Sequence, residues 1–325
     1  MEAALLDRFQ ADLDGLIAPD ARIGVAVSGG PDSLALLLLT AKVRPGQVEA
    51  ATIDHGLRPE APGEAAMVAS ICDWLGVRHS TLTARWSELP ETAIQERARN
   101  KRYRLLAYWA EERGLDALAT AHHAEDQAET LLMRLSRGSG VRGLAGMRPR
   151  SVSPGAHVRL VRPLLGWRRA ELELICERAG LSPVADPSNQ DERFERVRVR
   201  RALAALDWLD AGAVAHSASN LADADAALDW AAKAEWNRNV HEKRGSVTYR
   251  PSDAPAEIVR RIVSRAIRKL ATEGEFEPRG TELSRLVSTL ADGGTATLRG
   301  VLCRGGAEWH FVPSPNRTRP VDKFE

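Results

Sequence analysis

Chemistry in this chain concentrates where short polar runs interrupt apolar ones. Ser28-Gly29-Gly30-Pro31-Asp32-Ser33 directly follows the apolar run Ile23 to Val27 and directly precedes a helical run that starts at Leu34. Two adjacent glycines let the backbone approach an anion without a Cβ in the way. A helix starting just behind them points its free N–H groups and dipole at that anion. Ser28 and Ser33 can add hydroxyl donors. Asp32 does not favour a bare phosphate, so an acid there suggests a bridging Mg²⁺. The plainer alternative is a tight turn with Asp32 or Ser33 capping the helix. The strand–turn–helix setting favours phosphate, and the turn fits neither Gly-x-x-x-x-Gly-Lys-Ser/Thr nor Gly-x-Gly-x-x-Gly.

A second polar run, Ala121-His122-His123-Ala124-Glu125-Asp126-Gln127-Ala128-Glu129-Thr130, follows another short apolar segment and opens another helix. Adjacent histidines on an extended segment point opposite ways, which argues against a zinc pair and leaves a polar strand end. Asp126 can simply favour the first turn of its helix. It also emerges at the same sheet edge as Asp32, and two converging acids suit Mg²⁺ held between a phosphate and the protein. Arginines cluster at Arg97, Arg99, Lys101, Arg102 and Arg104, and again at Arg193, Arg196, Arg198, Arg200 and Arg201. Such stripes bind phosphates or form a solvated face. The second set, spaced by two, does not share one helical face; it lines a phosphate-facing edge or pairs in part with Glu192 and Glu195. Arg137 to Ser153, rich in Gly, Arg and Ser, reads as a mobile functional loop or a plain linker. Asp186-Pro187-Ser188-Asn189 is either a turn with a helix cap or a substrate contact.

Regular elements must position these residues. Ile23–Val27, Val48–Ile53, Val77–Leu82 and Ala117–Ala121 read as strands, alternating with helices over Leu34–Lys42, Gly63–Leu75, Thr92–Arg113 and from the histidines through Arg134. That alternation predicts an α/β fold: a parallel sheet with crossover helices on both faces. A turn at the carboxyl end of such a strand lies where these sheets bind ligands. Arg168–Ala179 is a further helix. Beyond Asp210 the pattern becomes mainly helical, over Ala213–Val240, Ala254–Ala271 and Thr281–Leu290. A hairpin follows, Thr295–Val301 against Glu308–Val312, turned at Gly305-Gly306. The expected division is 1–208, a nucleotide-binding domain, and 209–325, a smaller, mainly helical α+β domain.

The bulk properties agree with a folded, soluble protein. The 325 residues are 44% hydrophobic and 27% charged, with a formal net charge of +1, so only the local arginine clusters point to nucleic acid. The start carries acids where a secretory signal would be basic, and Leu34 to Leu39 is far too short to span a bilayer. Cys72, Cys176 and Cys303 are widely spaced and form no metal or redox pattern, which fits a reducing cytoplasm. The oligomeric state stays open.

The motifs together carry a family resemblance. Ser28 to Ser33 resembles the pyrophosphate loop of the N-type ATP pyrophosphatases, the PP-loop family. Asp54-His55-Gly56-Leu57-Arg58, Glu96-Arg97-Ala98-Arg99 with Arg102-Tyr103, the histidine run, Arg137-Gly138-Ser139-Gly140 with Gly143 to Met147, and Asp186 to Asn189 with Arg196, Arg198 and Arg200 then follow in the order of the tRNA(Ile)-lysidine synthetases. The likeness spans roughly Arg22 to Arg201; the remainder is similar only in size and character. The family usually has two aspartates where this chain has Glu125-Asp126. The resemblance implies that ATP and Mg²⁺ bind over Ser28, Gly29, Gly30, Pro31, Asp32 and Ser33. The wobble cytidine of tRNA(Ile) with a CAU anticodon would then be adenylated at its C2 oxygen, and free L-lysine would displace AMP. It further implies Asp32 and Asp126 on the metal, His122 and Arg137 near phosphates or base, and tRNA held by Arg97, Arg99, Arg104, Arg196, Arg198, Arg200 and the C-terminal domain. The alternatives are a tRNA thiolation enzyme and a nucleotide-dependent RNA-binding module without catalysis. Longer family members carry a further terminal domain, so acceptor-stem contacts assigned to it are not expected here.

Overall fold

The computed structural model describes residues 2–56, 60–84, 94–152, 158–184, 191–271, 278 and 280–314, with the backbone alone for 94–96. The chain forms two compact units, Met1–Gly138 with Gly143–Asn220, and Ser139–Arg142 with Leu221–Glu325.

The first unit is built on six strands: β1 (Ile23–Ala26), β2 (Val48–Asp54), β3 (Arg78–Thr83), β4 (Ala117–Ala119), β5 (Arg150–Val152) and β6 (Arg159–Val161). Their order is β3-β2-β1-β4-β6-β5. All neighbours are parallel except the edge pair β5–β6. The parallel α/β fold therefore stands as expected, with an antiparallel edge that the apolar pattern had not revealed.

Both faces of the sheet are covered, which is why β1 and β4 are apolar without alternation. On one face α1 (Ala3–Asp14), α2 (Pro31–Val43) and α7 (Arg169–Arg178) bury Phe9, Leu13, Leu34 to Leu39, Leu172 and Ile175. On the other, α4 (Ile94–Glu112) lays Tyr103, Leu106, Trp109 and Ala110 over Ala51, Leu118 and Leu160. Packing there is close enough that a Cβ at Gly24 in β1 would sit 2.7 Å from the Trp109 ring. α3 (Ala61–Leu75) adds Val68 and Cys72 to the core, and two other helices matter for the site, α5 (Ala124–Leu135) and α8 (Glu195–Ala204).

The stretch from Arg137 onward is more ordered than its composition suggested. It holds the short helix α6 (Val141–Leu144) and strand β5. Arg134 donates to the carbonyls of Gly143 (2.6 Å) and Gly146 (3.0 Å), and the Gln127 amide bonds the Met147 backbone in both directions. Gly146 needs its φ of +63°, and a Cβ there would meet Gln127 Oε1 at 2.5 Å.

The second unit takes up α9 (Ala211–Asn239) from Leu221, then packs α10 (Ala256–Leu270) and α11 (Gly280–Ala291) against a five-stranded antiparallel sheet. Its strands are β7 (Val240–Lys243), β8 (Ser246–Tyr249), β9 (Thr295–Leu298), β10 (Val301–Arg304) and β11 (Trp309–Pro313), in the order β7-β8-β11-β10-β9. The expected single hairpin is thus corrected. Arg299-Gly300, both at positive φ, break the run into two paired strands, so the segment is a three-stranded meander. Gly305 after β10 is obligatory, because a Cβ would lie 2.0 Å from the Leu290 carbonyl oxygen. Among the described residues no helix is long and apolar enough to cross a membrane.

Candidate active site

The glycine turn leaves β1 at the carboxyl edge of the sheet and becomes the N-terminus of α2, with Gly30 as N-cap and Pro31 in the first turn. Gly29 adopts φ +85°, and an added Cβ would press on Met67 (3.3 Å). The turn closes on itself through Ser33, whose hydroxyl accepts from the Ser28 amide (3.1 Å) and donates to the Gly30 carbonyl (3.0 Å). Ser33 is buried. Its hydrogen is therefore committed to the turn, which makes Ser33 a brace where a phosphate donor was expected; Ser28 stays exposed. From behind, the Val184 amide donates to Gly29 O (3.0 Å) and the Cys176 thiol to Pro31 O (3.2 Å). These bonds fix carbonyls inward and leave the first amides of α2 facing outward, an anion-binding arrangement.

β4 leads through Thr120 and Ala121 to the two histidines, and His123 becomes the N-cap of α5. His123, 3% exposed, is the organiser that sequence reasoning passed over. Its Nδ1 meets Glu125 Oε2 at 2.8 Å, while Nε2 lies 3.6 Å from Asp32 Oδ2 and 3.5 Å from Asp126 Oδ2. Burial alone lowers its pKa. The close approach of the Asp32 carboxylate, the hydrogen bond with Glu125 and the charge of Asp126 outweigh that and raise it to about 10. The structure thus brings the two expected acids together, on one imidazolium. Glu125, at the position where the resemblance leads one to expect aspartate, reaches both His123 and the Arg169 amide at the start of α7 (3.0 Å). Asp32 Oδ1 is buried without a hydrogen-bond partner.

His122 points to a different environment. Its Nδ1 shares a hydrogen with Thr120 Oγ1 (3.0 Å). Burial, then the cations of Arg162, Arg99, Arg196 and Arg102, push its pKa well below the ordinary value, so this imidazole is neutral. Neighbouring histidines with opposite charge states follow from the alternation of an extended segment.

The expected arginines divide into three groups. Arg196 and Arg200, one turn apart on α8, reach buried Glu129: Arg196 bridges Asp126 (2.6 Å) and Glu129 (2.5 Å), and Arg200 meets Glu129 at 2.6 Å. They pin α8 to α5 and do not form a free phosphate edge, because a fully buried carboxylate requires paired charge. Arg198 turns to the carbonyls of Glu192 (2.9 Å) and Arg193 (3.1 Å), and Arg137, exposed, pairs with Glu195. Arg97, Arg99 and Arg104 remain exposed on α4. Asp54 caps its own turn through the Gly56 amide (2.8 Å). Leu57, Arg58 and Asp186 to Asn189 lie outside the described residues, as does the Glu96 side chain.

A glycine turn behind a central parallel strand, with two acids converging beside it, defines a nucleotide-using α/β domain, and the family profile of the PP-loop domain matches residues 3–206. The chain is 51% identical over 311 residues to the tRNA(Ile)-lysidine synthase of Novosphingobium aromaticivorans, covering 95% of this chain and 93% of that one. It is 43% identical to the enzyme of the same name from Zymomonas mobilis, covering 96% and 95%. The chain belongs to the tRNA(Ile)-lysidine synthase family of ATP-using PP-loop ligases. Among solved structures, the U34-tRNA thiolase NcsA of Methanococcus maripaludis aligns with a TM-score of 0.56 at 17% identity, over 67% of this chain and 78% of that one. At that identity the likeness establishes the shared fold.

Proposed function

We propose that this chain joins lysine to C2 of the wobble cytidine of tRNA(Ile) with a CAU anticodon, through an adenylated cytidine. The observation that carries the reading is the placement of Asp32 and Asp126 on one nitrogen of His123, beside the phosphate turn. ATP seats its phosphates on the first amides of α2, and pyrophosphate leaves into the same turn. The braced geometry of Ser33, Cys176 and Val184 presents those amides without reorganisation, which is how positioning accelerates phosphoryl transfer. The cytidine is unstacked from a single-stranded loop to reach the edge of the sheet.

Mg²⁺ fits this donor set. Asp32 Oδ1 is buried and unpartnered, a carboxylate oxygen that a cation would satisfy. Asp126 is the second candidate ligand, although Arg196 holds its Oδ1. Among the described residues no three His, Cys, Asp or Glu side chains are arranged to hold a metal by themselves. That suits an ion completed by phosphate oxygens and water. When bound, it would neutralise charge on the phosphates.

The three cysteines support ligation over thiolation. Burial pushes the thiols of Cys72 and Cys303 up to about 12 and that of Cys176 to about 11, so none is a ready thiolate. Mass analysis of tRNA(Ile) bearing CAU, after incubation with ATP, Mg²⁺ and lysine, tests the proposal. A lysine-modified cytidine is expected. Sulfur at that base, or adenylation of lysine without tRNA, would overturn it.

A further inference from the structure

The arginines around His122 form a pocket that the adenylation reading leaves unused. Tyr103 is 3% exposed, and its buried hydroxyl lies beside the guanidiniums of Arg102 and Arg162 without a well-formed hydrogen bond. Arg162 is 8% exposed; its Nη1 is tied to Arg148 O (2.7 Å) and Ser151 Oγ (3.0 Å), but its Nε is buried and unpartnered. The guanidiniums of Arg99 and Arg102 lie 5.2 and 5.3 Å from the centre of the Tyr103 ring. Among the described residues no carboxylate pairs with Arg99, Arg102 or Arg162. Burial, and to a smaller extent the neighbouring Arg99 cation, lowers the pKa of Arg102 and of Arg162, and the Tyr103 hydroxyl partly offsets this. Buried donors in native proteins nearly always have a partner, whether protein, water or ligand.

We infer that Arg102, Arg162 and Tyr103, beside His122, form a second phosphate site, distinct from the glycine turn, that takes a backbone phosphate of the RNA. The inference rests on the proposed tRNA substrate. Two geometric facts favour RNA over ATP as the source. Arg162 follows β6, two strands from β1 in the order β1-β4-β6. At about 4.8 Å per strand this is about 10 Å from the turn, beyond the phosphates seated there. Exposed Arg99, one turn before Arg102 on the same face of α4, extends the positive surface outward toward a following phosphate. Several guanidiniums around one point also suit a phosphate better than a single amino-acid carboxylate.

Tyr103→Phe tests the site cleanly. A buried hydroxyl without a well-formed hydrogen bond contributes little to folding, so its removal changes the melting temperature only slightly. If the hydroxyl donates to phosphate, binding of a tRNA(Ile) CAU transcript weakens about tenfold. Arg102→Gln should lower the log–log salt slope of tRNA binding by about one unit. ATP binding without tRNA, measured in parallel, identifies the source: weakening there assigns the phosphate to the nucleotide. Unchanged affinity for both tRNA and ATP in Tyr103→Phe and Arg102→Gln overturns the site, as does an effect confined to the lysine KM. If the wild-type chain itself does not bind tRNA, the functional reading falls and the site with it.

Discussion

Asp32→Asn separates catalysis from stability, because the structure assigns the carboxylate so little structural work. Its Oδ1 has no partner, and its Oδ2 stands 3.6 Å from His123 Nε2, beyond hydrogen-bond distance. His123 keeps Glu125 at 2.8 Å and Asp126 at 3.5 Å after the change. Losing one long ionic contact while relieving a buried, unpaired oxygen should nearly cancel, within about 1 kcal/mol either way. For a unit of this size that is a melting shift of about 2–4 °C. The catalytic cost is larger. Removing one electrostatic group aimed at developing charge costs about 10²–10³ in rate. The assay is pyrophosphate release with ATP, Mg²⁺ and tRNA, run beside a thermal melt of the same preparation. Full-rate release from the variant would return Asp32 to the role of a helix-turn residue. A melting temperature lowered by more than about 10 °C would refute the claim that the site holds Asp32 unpartnered.

Further expectations follow from other parts of the structure. Glu129→Ala strands Arg196 and Arg200 beside Asp126 and should destabilise the first unit by about 3–5 kcal/mol, read by urea unfolding. Arg97→Glu and Arg104→Glu should weaken tRNA binding and reduce its salt slope by about one unit each, with ATP binding unaffected. In the second unit, burial raises the pKa of Glu235, but hydrogen bonds from Ser252 (2.7 Å), Asn239 (2.9 Å) and Tyr249 (3.0 Å) outweigh it and leave the pKa lowered. A depressed carboxyl contributes stability above its unfolded pKa and loses it as pH falls through the folded value. Glu235→Gln should therefore flatten the acid side of the stability curve, measured by chemical denaturation between neutral and acid pH. Gly305→Ala, with Leu290 O at 2.0 Å from the new Cβ, should abolish the native near-ultraviolet signal of the second unit.

What could be read from the sequence was whatever a local pattern dictates. Ile23 to Val27 is apolar throughout because both of its faces are covered, and the glycine turn behind it announces itself by composition. Asp32 and Asp126 could be placed at one edge because each follows a parallel strand. Long-range pairing was hidden. Glu129 reads as one more acid on a helix, and only the packing of α8 on α5 makes it the buried partner of two arginines. Arg196 and Arg200 looked like a phosphate edge for the same reason. β10 went unseen because Arg299-Gly300, where Arg299 is a non-glycine residue at positive φ, does not read as a turn. β6 is three residues long, and a run that short cannot be told from an ordinary apolar loop.

The two histidines show how one dipeptide sets up a divided site. An extended backbone must send His122 and His123 to opposite sides, and the surroundings then determine their charge. On one side three carboxylates hold a cationic His123; on the other burial, and then four arginines, keep His122 neutral. Arg196 contributes to both, since it pairs with Asp126 and still faces His122. A reaction that draws a polyanionic RNA strand toward a polyanionic nucleotide needs this division, because a uniformly basic cleft would bind both without separating leaving group from backbone. On the proposed reading, acids beside the turn would restrict bare phosphate there and favour one carrying its own cation, whereas the arginine side would accept phosphate directly. The chemical distinction between the two substrates thus begins at the strand end that follows Thr120.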